Sequence, residues 1–196
     1  MPAALPAALR SPPPPTAPGK RPPRALQVVH DVDSALANTN IDWSAWYLSE
    51  EDDMGESVLH ALISSLFEDV LKRWVAERGI KRAFVGRNAF FQWVQNQPQV
   101  QISPDAYLVD RVPRPLPEAF QTWLPDHLPP RFALEIVSQN WRKDYDDNPA
   151  KYANLGCSEL VIYDPEHGKH RRSKDRLALQ VFRRASDGVF ARVYAG

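Results

Sequence analysis

The chain contains little cysteine and no long apolar run. Its single cysteine, Cys157, excludes an internal disulfide and a zinc–thiolate cluster built by this chain alone. No apolar stretch approaches the roughly 20 residues that a membrane-spanning helix needs. The N-terminus also lacks the continuous apolar core of a secretory signal. We therefore expect a cytoplasmic protein without a membrane partner.

The net charge is zero, because 24 lysines and arginines balance 24 aspartates and glutamates. No overall positive field therefore draws this protein to nucleic acid, and any such contact must come from local basic patches. The chain also has no glycine-rich phosphate loop, no Gly-x-Ser-x-Gly nucleophile elbow and no His-Glu-x-x-His zinc motif. The sequence therefore does not support the enzyme classes that these three motifs identify.

What is present suffices for one domain with a core, since 43% of the 196 residues are hydrophobic. Residues 1–24 are rich in proline and alanine, which favours a disordered or partly polyproline II tail. Docking of a partner by this tail stays an open alternative. We expect residues 25–196 to form a single domain.

The apolar periodicity predicts a long amphipathic helix over about 55–78, ended by Gly79. A short second helix is predicted with Asp147 or Asn148 as its N-cap, Pro149 in its first turn and Gly156 at its end. The stretch 112–130 is predicted to be a long connection between two strands. The strand patterns cover 82–94, 99–110, 131–138, 158–163, 177–184 and 189–194.

Two acids interrupt apolar strands. Asp105 follows Pro104 in Ser-Pro-Asp-Ala-Tyr-Leu-Val, and Glu135 lies in Phe-Ala-Leu-Glu-Ile-Val-Ser. Together with Lys151 on the short helix, they form a minimal set for binding a hard divalent cation and hydrolysing a phosphodiester. The local sequence leaves alternatives open: Asp105 as a turn cap, Glu135 on an exposed edge strand, and Lys151 as a surface lysine.

Other residues carry weaker signals. Lys143 competes with Lys151 for the same role, and Ser138 and Gln139 supply polar groups that reach a substrate or a water if they point into the site. His60 fits a residue on the face of the long helix, and Cys157 fits a small packed side chain better than a nucleophile. The aromatic residues of the strand at 82–94 are expected in the core; they are Phe90, Phe91 and Trp93.

The ordered set of motifs resembles the Uma-type restriction endonuclease family of the PD-(D/E)XK nuclease superfamily. The motifs that carry the resemblance are Ser103 to Leu108, Phe132 to Ser138, Lys151 to Ala153, and Glu159 to Pro165. The resemblance implies an α/β (α+β) fold, with a restriction-endonuclease-like central mixed β-sheet flanked by helices. It also implies a site at one edge of that sheet.

The resemblance further implies the roles of individual residues. Asp105, Glu135 and the carbonyl of Ile136 would be metal ligands, and Lys151 would be catalytic. The usual superfamily motif places a lysine two residues after the glutamate, where this chain has Val137. By the same carry-over, Asp147 would orient the lysine or cap its helix, and Glu56 would be an additional acid.

The implied activity is a magnesium-dependent endonuclease acting on DNA, with manganese as a substitute cation. A homodimer is compatible with it, because cutting both strands needs two sites. The rival interpretation is a nuclease-fold module that binds nucleic acid or a protein partner without cutting.

Overall fold

The computed structural model describes Val28–Val29 and residues 57–138 and 141–196. The expected tail, Glu56 and Gln139 therefore lie outside the described residues. The helices are α1 (Val58–Glu77) and α2 (Asn148–Leu155), and a π-helical turn, Lys143–Asp147, leads directly into α2. The strands are β1 (Val28–Val29), β2 (Phe84–Gly86), β3 (Phe90–Gln92), β4 (Gln101–Ile102), β5 (Ala106–Val109), β6 (Ala119–Gln121), β7 (Phe132–Ile136), β8 (Glu159–Tyr163), β9 (Leu179–Arg184) and β10 (Phe190–Ala195).

The described strands form one sheet of seven strands and a smaller sheet of three. The large sheet has the order β1-β10-β9-β8-β7-β5-β2, and only its β7–β8 pair is parallel. The crossover between these two strands carries α2, as parallel pairing requires. The small sheet has the order β4-β3-β6. This mixed sheet with helices confirms the predicted α+β, restriction-endonuclease-like fold.

Helix α1 has Ser57 as its N-cap, and the Ser57 side chain accepts a hydrogen bond from the backbone N–H of His60 at 3.2 Å. It packs on one face of the sheet through Ile63, Phe67 and Leu71, against a cluster of Ala106, Leu134 and Ile136. The predicted apolar stripe is broader than this contact. Six further large apolar side chains of α1 are exposed, namely Val58, Leu59, Leu62, Leu66, Val70 and Trp74.

Helix α2 lies over the other face of the sheet, where the main core is. Tyr152, Ala153 and Leu155 are buried there with aromatic residues of several strands, including Phe91 and Phe182. The predicted end of α2 is confirmed, because Gly156 takes the left-handed conformation with φ 90°. The predicted capping is wrong in its detail: Asp147 stands at the N-cap but makes no side-chain capping bond.

Two predicted strands are interrupted. Asn88, with φ 54°, separates β2 from β3 within 82–94. Pro104 separates β4 from β5 within 99–110, because proline cannot donate to a ladder. The connection 112–130 contains β6, which pairs with β3 in the small sheet. Phe90 is 38% exposed and does not join the core, unlike Phe91 and Trp93.

Candidate active site

Asp105 joins three elements at one end of the large sheet. It directly precedes β5, and its backbone N–H donates to the carbonyl of Leu134 in β7 at 3.0 Å. Its Oδ2 accepts a hydrogen bond from the N–H of Ile136 at 2.6 Å. Its Oδ1 lies 2.7 Å from Nε2 of His60 in α1. The carboxylate therefore ties β7 to α1 and is not simply a turn cap.

His60 is a site residue that the sequence patterns missed. It stands in the first turn of α1, and its side chain is only 18% exposed. When the Asp105 carboxylate is ionised it only accepts hydrogen bonds, and Nε2 of His60 is then the donor. The one signal in the sequence was a polar side chain next to Leu59 at the start of an apolar series. Nothing local showed its partner, which is 45 residues away.

Glu135 is buried, at 8% exposure, in a strand that lies between two neighbours. An exposed edge position is thereby excluded. Its Oε1 accepts a hydrogen bond from the hydroxyl of Tyr152, and its Oε2 accepts one from Nδ2 of Asn148 at 3.1 Å. Both donors come from α2. The side chain of Asn148 therefore donates to Glu135 and does not cap its own helix.

Burial raises the pKa of Glu135 well above its usual range, and the negative charges of Asp105 and Asp144 raise it further. The hydrogen bond from Tyr152 and the positive charge of Lys151 lower it against that trend. The two proposed ligands, Asp105 and Glu135, are therefore close enough to repel each other.

Asp144 is a second residue that the sequence patterns missed. Its Oδ2 accepts hydrogen bonds from the N–H of Ser138 at 2.8 Å and from the Ser138 hydroxyl at 3.0 Å. Ser138 thus holds this acid beside the end of β7. Burial raises the pKa of Asp144, and the bonds from Ser138 oppose that rise. Its only local signal was its position four residues before Asn148, on the same helical face.

Both candidate lysines lie near these acids. Lys151 is buried at 5% exposure, which excludes an ordinary surface lysine. Its pKa is lowered by burial and by Lys143, while the charges of Asp147, Glu135 and Asp144 oppose that shift. Lys143 lies 4.0 Å from Asp144. Asp147 has a raised pKa because of burial, opposed by Lys151 and then Lys143.

The donor set suits a hard cation, although it is not a complete cage. Within residues 57–138 and 141–196, no three histidine, cysteine or acidic side chains are arranged to hold a metal ion. Magnesium sites in phosphoryl-transfer enzymes commonly use one or two carboxylates plus water and substrate oxygens. A carboxylate has about four lone-pair sites on its two oxygens, so it can bind a cation while it also accepts hydrogen bonds. A cation would also relieve the repulsion between the two acids. The residues present therefore fit Mg²⁺.

The mixed sheet and the buried acids beside a buried lysine define a protein of the restriction-endonuclease-like class. A comparison with protein families then identifies the family: the model of Uma2, described as "Putative restriction endonuclease", matches residues 52–191. The chain belongs to the Uma2 family, within the PD-(D/E)XK nuclease superfamily. A search of curated proteins finds no match. Among the helices described, none is long and apolar enough to cross a membrane.

Proposed function

We propose that this protein is a metal-dependent endonuclease that hydrolyses phosphodiester bonds of DNA. Membership of the Uma2 family supports a nuclease in general. The observation that carries the finer proposal is geometric: Asp105 is bonded to the N–H of Ile136, next to the buried Glu135, and Lys151 is buried on the helix that binds Glu135. Burying charged groups is costly, and acids and lysines buried together in this way cluster at functional sites.

In the proposed reaction, Asp105, Glu135 and the carbonyl of Ile136 would hold Mg²⁺. The chemistry that the bound ion would supply is acidification of water and withdrawal of charge from a phosphoryl oxygen. The ammonium of Lys151 stabilises the charge that develops on the phosphoryl oxygens. His60 fixes the rotamer of Asp105 through its hydrogen bond.

Tyr152 and Asn148 fix the rotamer of Glu135 in the same way. Because the donors of both acids lie on helices packed against the sheet or on strand β7, the acids are oriented before any ligand arrives. Preorganisation of this kind avoids a reorganisation cost during the reaction.

The direct test is cleavage of supercoiled and linear DNA in Mg²⁺ or Mn²⁺. We expect Glu135→Gln and Asp105→Asn to lower the rate by roughly a hundredfold or more, because each removes a ligand charge. Asp110→Asn is the matched control. Asp110 follows the opposite end of β5 and is 57% exposed, so its loss should leave the rate unchanged. If the wild-type protein cuts neither DNA nor RNA of any topology, the proposal is wrong.

Lys143 and Lys151 are separated by comparing Lys151→Met with Lys143→Met. We expect the Lys151 variant to lose far more activity, because its ammonium is buried among the acids while the Lys143 side chain is 24% exposed. An unchanged rate for Lys151→Met, with a loss for Lys143→Met, would reverse the assignment.

A second function keeps specific support, namely a nuclease-fold module that binds nucleic acid or a protein without cutting. Val137 occupies the usual lysine position and is buried in the core. Both oxygens of Glu135 also already accept hydrogen bonds. Titration with Mn²⁺ separates the functions: the enzyme binds Mn²⁺ in a way that Glu135→Gln weakens and Asp110→Asn does not. A pure binding module shows no such dependence.

A further inference from the structure

The parallel pairing of β7 and β8 determines what lies beside the candidate site. Parallel strands end at the same edge of a sheet. Glu135 is in register with Ile162, and Ile136 is in register with Tyr163. The N–H of Val137 donates to the carbonyl of Tyr163 at 2.8 Å. The loop that leaves β8 at Asp164 therefore starts at the edge where Asp105 and Glu135 lie.

This loop is basic in a chain whose net charge is zero. Residues 166–176 contain five lysines and arginines but only two acids. Glu166 pairs with Lys169 at 3.1 Å, and Arg176 pairs with Asp164 at 2.9 Å. Lys169, Arg171 and Lys174 are exposed to solvent. The outward surface is therefore positive.

The loop has an internal framework. Ser173 is buried at its centre, and its hydroxyl accepts from the N–H of His170 and donates to the carbonyl of the same residue, each at 3.1 Å. Gly168, with φ 68°, donates its N–H to the carbonyl of Ser173 at 3.1 Å. The ring Nδ1 of His167 is bonded to the carbonyl of Arg176. These bonds order the loop backbone before any ligand binds, which lowers the entropic cost of binding.

The loop is also attached to the segment that carries Asp144. The hydroxyl of Tyr145, the next residue, is 2.9 Å from Oδ2 of Asp164 and 2.6 Å from the carbonyl of Leu177. The guanidinium of Arg176 is 5.9 Å from the ring centre of Trp141, just before the π-helical turn. Site and loop therefore share one rigid support.

From this placement, we propose that the loop of residues 166–176 binds the phosphate backbone of DNA beside the active site, through Arg171 and Lys174. The inference rests on the proposed function and names how that site holds its substrate. Exposed cations on a preformed loop suit a sequence-independent contact with phosphates. The loop would also be the local basic patch that a protein of zero net charge needs in order to contact nucleic acid.

The test compares two double variants that each remove two positive charges. Arg171→Gln with Lys174→Gln changes the loop. Lys81→Gln with Arg82→Gln is the control, because these exposed residues precede β2, whose Phe84 pairs with Val109 at the end of β5 remote from Asp105. Binding to a fluorescent DNA duplex is measured by anisotropy in EDTA across a salt series, so that no cutting occurs. Circular dichroism melting checks that both variants fold.

We expect the loop variant to bind DNA about tenfold to a hundredfold more weakly than wild type at about 0.1 M salt. The slope of log Kd against log salt should fall by about 1 for each phosphate that the variant no longer neutralises, while the control keeps the wild-type slope. If wild type cuts DNA and both variants bind it equally well, the loop assignment is wrong and the proposed function stands. If wild type neither binds nor cuts DNA, both fail. Loop-dependent binding of an RNA duplex without DNA binding would overturn the choice of DNA.

Discussion

The hydroxyl of Tyr152 provides the sharpest test of the buried acid. The change Tyr152→Phe removes one oxygen and leaves the ring that fills the core. Glu135 then keeps only the donor from Asn148, and its Oε1 is left unsatisfied in a buried position. A hydrogen bond to a charged group contributes about 1.5–3 kcal/mol, and one between neutral groups contributes about 1 kcal/mol. The loss of unfolding free energy should therefore depend on whether Glu135 is ionised.

The sign of the pH dependence follows from the raised pKa of Glu135, caused chiefly by burial and then by Asp105. A raised carboxyl pKa means that the folded state binds the proton more tightly than the unfolded state does. This contribution to stability is complete below the unfolded pKa of about 4.3, and is lost as pH rises through the folded pKa. Without the Tyr152 hydroxyl the folded pKa rises further, so stability continues to fall over a wider pH range. Burial and the charge of Glu135 raise the pKa of Tyr152 as well, so it stays a neutral donor.

The assay is urea unfolding in EDTA at several pH values between about 5 and 9. We expect Tyr152→Phe to cost about 1 kcal/mol where Glu135 is protonated and about 2–3 kcal/mol where it is ionised. Tyr194→Phe, at a half-exposed tyrosine on β10, serves as the control and should change little. No loss at any pH, or a loss that becomes smaller as the pH rises, would refute the reasoning.

Two further predictions concern stability and reactivity. Burial raises the pKa of the Cys157 thiol to about 12, so a thiol reagent at about pH 8 should leave the native protein unmodified and react fully in denaturant. Rapid labelling of the folded protein, followed by mass spectrometry, would contradict the buried position. Gly79→Ala should lower the unfolding free energy by about 1 kcal/mol, because φ at Gly79 is 64°, a conformation that strains alanine. No steric clash adds to this cost, because an added Cβ would meet nothing within 4 Å. If the variant melts at the same temperature as the wild-type protein, the conformation at position 79 is not strained for alanine.

The strands of the second half of the chain were predicted well. The patterns at 131–138, 158–163, 177–184 and 189–194 correspond to β7, β8, β9 and β10, with differences of at most two residues at each end. The ends of these apolar runs in the sequence coincide closely with the ends of the strands. The pattern at 82–94 was overextended, because hydrophobicity does not show a positive φ at Asn88. Within 99–110, Pro104 already indicated a bend or an end of strand pairing, and β4 and β5 separate there.

The candidate site could be predicted only as far as local motifs reach. The structure brings Asp105, Glu135 and Lys151 into one electrostatic group, and their catalytic roles stay predictions. His60 and Asp144 were not found, because their importance depends on partners in other elements. His60 matters through Asp105 and Asp144 through Ser138, and neither distance is visible in residue spacing.

The parallel pairing of β7 with β8 also divides the site between two parts of the chain. During synthesis, the residues up to Ile136 leave the ribosome first and already contain Asp105 and Glu135. Asn148 and Tyr152, which donate hydrogen bonds to Glu135, follow in the crossover that leads to β8. The groups that orient this acid are therefore made after the acid itself.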